Sequence, residues 1–251
     1  MVECYWTVAG HDSAWQKISP DGCPEIIFHL GDPYRIRHAD GTEEDQPFAI
    51  AAGQLDRCIY VQPTGESDVL GIKLKPNGMW KLTGYSMNSL YNQVVDLNHV
   101  WRASGEELLS SLRTVGETSA RLEVIEDLLC RALPFPQQDT LLDIIIREVR
   151  KNSGQLSIAE LAEKLGCTGR QIERLFRDQV GVSAKSFCRV VRFNTVFKLL
   201  QQESITRAEA SYIAGYFDQA HFNKEFRQFT GENPKAYFKN DHRFSNFFLT
   251  R

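Results

Sequence analysis

The sequence predicts an α+β chain in two halves: an antiparallel β sheet or small barrel at the N-terminus and an all-helical unit at the C-terminus. Three observations carry this expectation. Short β-branched and aromatic runs separated by turn signals fill residues 1–78, apolar residues spaced by three and four fill residues 140–239, and the sign of the charge balance changes between them.

The 251 residues carry a formal net charge of −3, which conceals an asymmetry. Cut at Pro134-Phe135-Pro136, residues 1–139 hold 11 Lys and Arg against 20 Asp and Glu, whereas residues 140–251 hold 18 against 12. A basic unit is what a polyanionic partner requires, and an acidic unit is what it repels. No apolar run approaches the roughly 20 residues of a membrane helix, and the first residues lack the basic and apolar regions of a secretory signal. A cytoplasmic location is expected, with the six scattered cysteines reduced.

In the acidic half, residues 4–8, 26–30, 58–61 and 69–74 are short runs rich in Val, Ile, Phe, Tyr and Trp that look like strands. Pro20-Asp21-Gly22, Gly31-Asp32-Pro33, Asp40-Gly41 and Pro63-Thr64-Gly65 supply the backbone angles of chain reversals. The strand signals end at Lys75-Pro76-Asn77-Gly78. Residues 104–113 and 119–133 then take helical spacing, with Leu122, Ile125, Leu129 and Leu133 in one stripe. That stripe fits either the domain's own core or a self-complementary face for a homodimer. The expected divisions are residues 1–78 (β-rich sensor), 79–136 (helical linker and dimerisation segment), 137–240 (helical) and 241–251 (an aromatic tail).

The basic half contains a repeat. Ser157 and Glu160 form a capping box before Ile158, Leu161, Ala162 and Leu165, and Gly166 stops that helix. Thr168, with Gln171 three residues on, opens a second helix that buries Ile172, Leu175 and Phe176. Gly215 lies 49 residues after Gly166, while Phe222, Phe226, Gly231 and Tyr237 lie 50 after Ile172, Phe176, Gly181 and Phe187. The second copy therefore has a turn one residue longer, capped by Asp218. Residues 184–201 contain no Gly or Pro and make a helix of about 27 Å, long enough to hold two helix-turn-helix heads about one DNA turn apart.

With Gly215-Tyr216-Phe217-Asp218-Gln219-Ala220-His221-Phe222, Phe226-Arg227, Gly231, Pro234 and Tyr237 in view, residues 140–239 resemble the tandem helix-turn-helix domain of AraC/XylS-type bacterial transcription regulators. Glu25-Ile26-Ile27-Phe28, Gly31-Asp32-Pro33, Gly53-Gln54 and residues 70–76 resemble the cupin-like sensor domain on one branch of that family. The chain departs from the pattern at Arg207, Ala210 and Ser211, where the family has more apolar residues, and at Ala184, where it often has proline.

Helical spacing turns Arg170, Glu173 and Arg174 outward in the first motif and Gln219, Ala220, Asn223 and Lys224 outward in the second. By resemblance these are the base-contacting positions. Arginine suits guanine, the amides adenine, Ala220 a thymine methyl, and Glu173 either cytosine or Arg174. Arg177, Lys185, Arg189, Arg192 and Arg227 are candidates for phosphate contacts or structural pairs. In the sensor half Trp6, Glu25, His29 and Arg57 are candidate effector liners. Double-stranded DNA is the implied partner, with RNA polymerase, a small-molecule effector and a second copy of the chain as further candidates.

No metal, cofactor or enzymatic activity is expected. No two of the six histidines lie two, three or four residues apart, and GxSxG, P-loop and GxGxxG patterns do not occur. The competing readings are an adaptor that has lost DNA binding, and a small-molecule-binding or enzymatic barrel with an accessory helical domain.

Overall fold

The computed structural model describes every residue except 39, 102–104, 133–138, 203, 240–245, 247–248 and 250–251. The boundary at Pro134–Pro136, Leu133 and most of the aromatic tail lie outside the described residues.

Among the described residues nine strands form two sheets: β1 (Val2–Gly10), β2 (Gln16–Ile18), β3 (Glu25–His29), β4 (Tyr34–Arg37), β5 (Glu43–Asp45), β6 (Ala49–Ala52), β7 (Ile59–Pro63), β8 (Ser67–Leu74) and β9 (Val94–Asp96). One sheet has the order β1-β8-β3-β6-β9 and the other β2-β7-β4-β5, all neighbours antiparallel. The cupin-like expectation holds as two facing sheets, without closure into a barrel. The alternation of β3 explains the layering. Ile26 and Phe28 point to one face, where they are fully buried, and Glu25, Ile27 and His29 point to the other, toward the second sheet.

The outer face of the five-stranded sheet is covered by α1 (Gly78–Thr83), a 3-10 turn at Met87–Leu90, α2 (Leu97–Val100), α3 (Gly105–Thr114) and α4 (Thr118–Ala132). Leu108, Leu109, Leu112, Ile125 and Leu129 join Ile26, Phe28, Leu70 and Ile72 in one core. The segment expected as a linker is instead a layer of this domain. Of the two roles its spacing allowed, the stripe takes the domain's own core: Ile125 is 0% exposed, Leu129 4%, and Leu122 packs beside them. Arg121 fixes α4 by gripping Asp68 of β8 with both terminal nitrogens, at 3.0 and 2.9 Å.

The C-terminal half comprises α5 (Leu141–Lys151), α6 (Ile158–Leu165), α7 (Gly169–Gln179), α8 (Ala184–Leu200), α9 (Arg207–Ile213), α10 (Gln219–Thr230) and α11 (Pro234–Tyr237). It has two cores. Phe187 and Cys188 of α8 belong to the first, with Ile172 and Phe176, whereas Val190, Phe193, Val196 and Phe197 belong to the second, with Phe222, Phe226 and Tyr237. The connecting helix thus supplies one end to each motif. Capping boxes begin α5 (Thr140, Asp143), α6 (Ser157, Glu160) and α9 (Thr206, Glu209), satisfying N–H groups that a helix leaves unpaired. Leu249 of the tail is fully buried in the second core, and Tyr237 donates to Asn246 at 2.9 Å.

No helix among the described residues is long and apolar enough to cross a membrane.

Candidate nucleic-acid interface and ligand cavity

In the first motif Gly166 adopts φ 63°, a left-handed angle that ends α6 and that a β-carbon would strain. Thr168 then accepts from the Gln171 N–H at 3.2 Å and opens α7. Gln171 does not return a bond to Thr168 among the described residues, so only half of a capping box is made. Burial of Ile172 and Phe176 leaves Arg170, Arg174 and Arg177 exposed along one side of α7. Glu173 is half-buried and turned elsewhere: its carboxylate accepts from the Ala184 N–H, at 3.3 Å, at the start of α8. A carboxylate there complements the positive end of a helix, so Glu173 ties the two helices together and is not paired with Arg174.

In the second motif Gly215 (φ 86°) turns the chain and Asp218 caps α10 by accepting from the His221 N–H at 2.7 Å. From Gly215 to its cap the turn is one residue longer than from Gly166 to its cap, as the repeat arithmetic requires. Gln219, Ala220, Asn223 and Lys224 are exposed, opposite the buried Phe222 and Phe226. Helix α9 forms despite its departures from the family pattern, because Ala210 is small enough to pack fully buried and Ser211 bonds the Ala208 carbonyl at 2.8 Å.

Beneath α10 the side chain of Glu225 is 6% exposed. It accepts from Arg189 Nε of α8 at 2.5 Å, and His221 Nε2 stands 3.5 Å away. Arg189 also donates to Gln228 at 2.7 Å. Arg192 donates to the Gly154 carbonyl at 3.0 Å and lies over the Tyr216 ring. Burial, reinforced by Glu225, raises the Tyr216 phenol well above its ordinary range. Of the five candidates for phosphate contacts, Arg189 and Arg192 are therefore bound within the fold, while Arg177, Lys185 and Arg227 are exposed. Spacing shows which residues face outward but not what the next helix brings to them. A groove between the two motifs is lined by Ser157, Lys185, Arg189, Arg192, Lys224 and Gln228.

A separate cavity of about 80 Å³ lies between the two sheets. Trp6, Glu25 and His29 line it, as the alternation of their strands predicts, together with Asp21, Tyr34 and Gln46, which the sequence reading did not single out. Arg57 lies outside it, paired with the adjacent Asp56 at 2.9 Å. The indole of Trp6 occupies space that a β-carbon on Gly71 would fill, since that carbon would meet the ring at 2.0 Å. His29 is 2% exposed, stacked on Tyr34 and bonded through Nε2 to Gln46 Oε1 at 3.1 Å. Burial lowers its pKa to about 4, against the opposing bond from Gln46, so the ring is neutral. Burial, with Asp21 nearby, holds the Glu25 carboxyl above the usual range, while Lys73 and the Trp6 N–H oppose the shift.

The cavity's Asp21 end touches the helical half. Gly22 packs on Phe187 and Val190, and the Asp21 carbonyl accepts from Asn194 of α8 at 2.9 Å. Lys17, nearly buried, pairs with Glu232 beyond α10, and Arg150 of α5 reaches Glu3 at 3.0 Å. Asp143 gathers Asn77 at 2.9 Å and Lys81 at 2.7 Å while completing its capping box. Among the described residues no group of three His, Cys, Asp or Glu could hold a metal ion.

Two capped helix-turn-helix motifs on one connecting helix, behind a two-sheet domain with an internal cavity, are the arrangement that the AraC/XylS resemblance implies. Comparison with known proteins agrees. Residues 161–240 match the family described as a helix-turn-helix domain, and residues 1–96 match a domain of unknown function, DUF6597. The uncharacterized HTH-type transcriptional regulator YidL of Escherichia coli K12 is 30% identical over 84 residues, 34% of this chain and 28% of YidL. GlxA of Rhizobium meliloti is 30% identical over 74 residues (30% and 23%), and the activator RhaR of E. coli O1:K1 is 26% identical over 107 (42% and 38%). The matches thus span well under half the length of these curated relatives. The fold is similar to that of ToxT from Vibrio cholerae, with a TM-score of 0.54 at 13% identity over 99% of this chain and 100% of that one. The helix-turn-helix match and the fold together support the AraC/XylS resemblance.

Proposed function

We propose that this protein is a sequence-specific DNA-binding transcription regulator whose N-terminal cavity takes a small-molecule effector. The observation that carries the DNA-binding reading is the pair of capped helices, α7 and α10, presenting exposed polar and basic residues from opposite ends of α8. Arg170 and Arg174 read base edges from one head, and Gln219, Ala220, Asn223 and Lys224 from the other. Arg177, Lys185 and Arg227 take the phosphates, while Arg189, Arg192 and Glu173 hold the heads in place. The relatives named above are transcription regulators, which favours a non-enzymatic role.

Control by an effector follows from the strap at residues 18–24. One side of it lines the cavity through Ile18, Ser19, Asp21 and Cys23, and the other meets α8 through Gly22 and the Asp21 carbonyl. A ligand that shifts this strap changes the seating of the connecting helix and thereby the relation of the two heads. A chain of similar fold, ToxT, has been solved bound to (E)-4-(8-methylnaphthalen-1-yl)but-3-enoic acid, at a TM-score of 0.53 and 14% identity.

A gel shift of the full chain on its own promoter region at two salt concentrations tests DNA binding. Three phosphate contacts give a loss of about 40-fold between roughly 50 and 200 mM salt. Absence of a shift on that DNA, or affinity indifferent to salt, overturns the reading and favours the adaptor alternative.

A further inference from the structure

Resting on the effector reading above, we propose that the cavity between the sheets takes a small arylalkyl ammonium ion, its nitrogen against Glu25 and a hydrogen-bond donor at its far end against His29. The walls between those ends are apolar, with Ile27, Ile50, Val61 and Val69 among the lining residues. A single water takes roughly 10–15 Å³ of such space, so the cavity has the room of about five to eight waters, which suits a small ring with a short arm.

Charge decides the class. Among the described residues no lysine or arginine lines the cavity. Of the three cations behind its Asp21 end, Lys73 is engaged with Asp21 at 2.5 Å and Arg150 with Glu3 at 3.0 Å, and Lys198 is exposed to solvent. Asp21 is thereby balanced and Glu25 is the surplus acid. An anionic ligand would meet two carboxyl groups and no lining cation to pair with it, whereas an ammonium ion would supply the counter-charge that lets Glu25 ionise, in a medium where Coulomb attraction is strong.

Hydrogen bonding decides the two ends. Among the described residues Glu25 Oε1 and His29 Nδ1 are buried without a hydrogen-bond partner, the exceptional state for such atoms. Since Gln46 Oε1 accepts from Nε2, the ring proton is on Nε2 and Nδ1 is an acceptor. The two acceptors stand on one face of β3, four residues or about 13 Å apart at roughly 3.3 Å per residue. No single ammonium group spans them. A ring carrying a hydroxyl at one end and an aminoethyl arm at the other does, with Trp6, Tyr34 and His29 supplying aromatic surface.

Burial keeps Glu25 protonated near neutrality, so pairing with an ammonium ion ionises the carboxyl and its proton passes to solvent. Asp21, Lys73 and Trp6 face Glu25 and set this balance.

The test is calorimetry on the full chain with tyramine, its neutral isostere 2-(4-hydroxyphenyl)ethanol and its anionic isostere 3-(4-hydroxyphenyl)propanoate, in two buffers of different ionisation heat. Tyramine is expected to bind about tenfold or more tighter than either isostere, as a charge-assisted bond requires, with proton release to the buffer. Glu25→Gln is expected to abolish both the preference over the alcohol and the proton release while the alcohol binds as before. Equal or tighter binding of the acid or the alcohol overturns the ammonium class and leaves the effector cavity standing. A preference that survives Glu25→Gln, or no heat with tyramine at millimolar concentration, overturns the proposal. The promoter gel shift needs no ligand and judges DNA binding separately.

Discussion

Replacing Arg189 by methionine distinguishes an internal strut from a phosphate contact. The change keeps the aliphatic stem, which packs near the Phe229 ring, and removes only the guanidinium. Two bonds are lost, the charge-assisted one to Glu225 at 2.5 Å and the one to Gln228 at 2.7 Å. Stranding a fully buried partner costs about 3–5 kcal/mol. Arg189 is 26% exposed on its side chain, and His221 remains 3.5 Å from Glu225, so about 2–3 kcal/mol is expected. Adding Glu225→Gln to Arg189→Met removes the stranded charge and should restore about half of the loss. Urea unfolding followed by circular dichroism measures these differences, and DNA affinity against salt, taken where both proteins are folded, supplies the second readout. The slope should be unchanged. A stability change under about 0.5 kcal/mol together with a salt slope shallower by about one would refute the strut and return Arg189 to the phosphate backbone.

Arg170→Ala and Arg174→Ala should each cost about 1–3 kcal/mol on the specific site while hardly changing affinity for random duplex, and equal losses on both in a competition assay would make them phosphate contacts. Asp143→Ala should destabilise the chain by about 1–3 kcal/mol, because it removes a helix cap and leaves Lys81 without its partner. Although burial opposes it, bonding to Lys81, Thr140 and Asn77 holds the Asp143 carboxyl far below its ordinary range. Its contribution is therefore full above about pH 4 and lost as pH falls further, and an Asp143→Ala difference in urea unfolding that does not shrink in acid would contradict this. His29 binds its proton more weakly folded than unfolded, so stability should fall as pH drops from about 6.5 to about 4, by up to about 3 kcal/mol. The same denaturation series on His29→Gln should lose that slope, and a slope that persists would assign it to another group.

The elements legible in the sequence are those whose determinants are local. Ser157-x-x-Glu160, Gly166, Thr168, Gly215 and Asp218 act within a turn or two of themselves, so the start and stop of each reading helix follow from a few adjacent residues. The period of two in β3 likewise sends Glu25 and His29 to one face and Ile26 and Phe28 to the other before any partner strand is known. Gln16–Ile18, Glu43–Asp45 and Val94–Asp96 are three-residue strands, too short for a period to show, and their pairing comes from neighbours supplied by distant segments.

Periodicity says that a residue faces outward from its own helix, not whether that outside is solvent, DNA or another helix. Arg189 and Glu173 project from α8 and α7 as expected, but Glu225 and the Ala184 N–H are waiting there. Ile125 and Leu129 form a stripe as expected, and the five-stranded sheet covers it. Arg57 failed as a cavity liner because it sits just before β7, where no alternation constrains it and Asp56 is adjacent. The contact of Asp21 and Gly22 with α8 joins residues more than 160 positions apart, and nothing in either segment specifies the other. Local sequence thus determined the caps, turns and faces because backbone hydrogen bonding and side-chain direction act over a few residues. Which faces meet was decided only when the chain closed, because burial and charge pairing depend on what the rest of the chain brings to them.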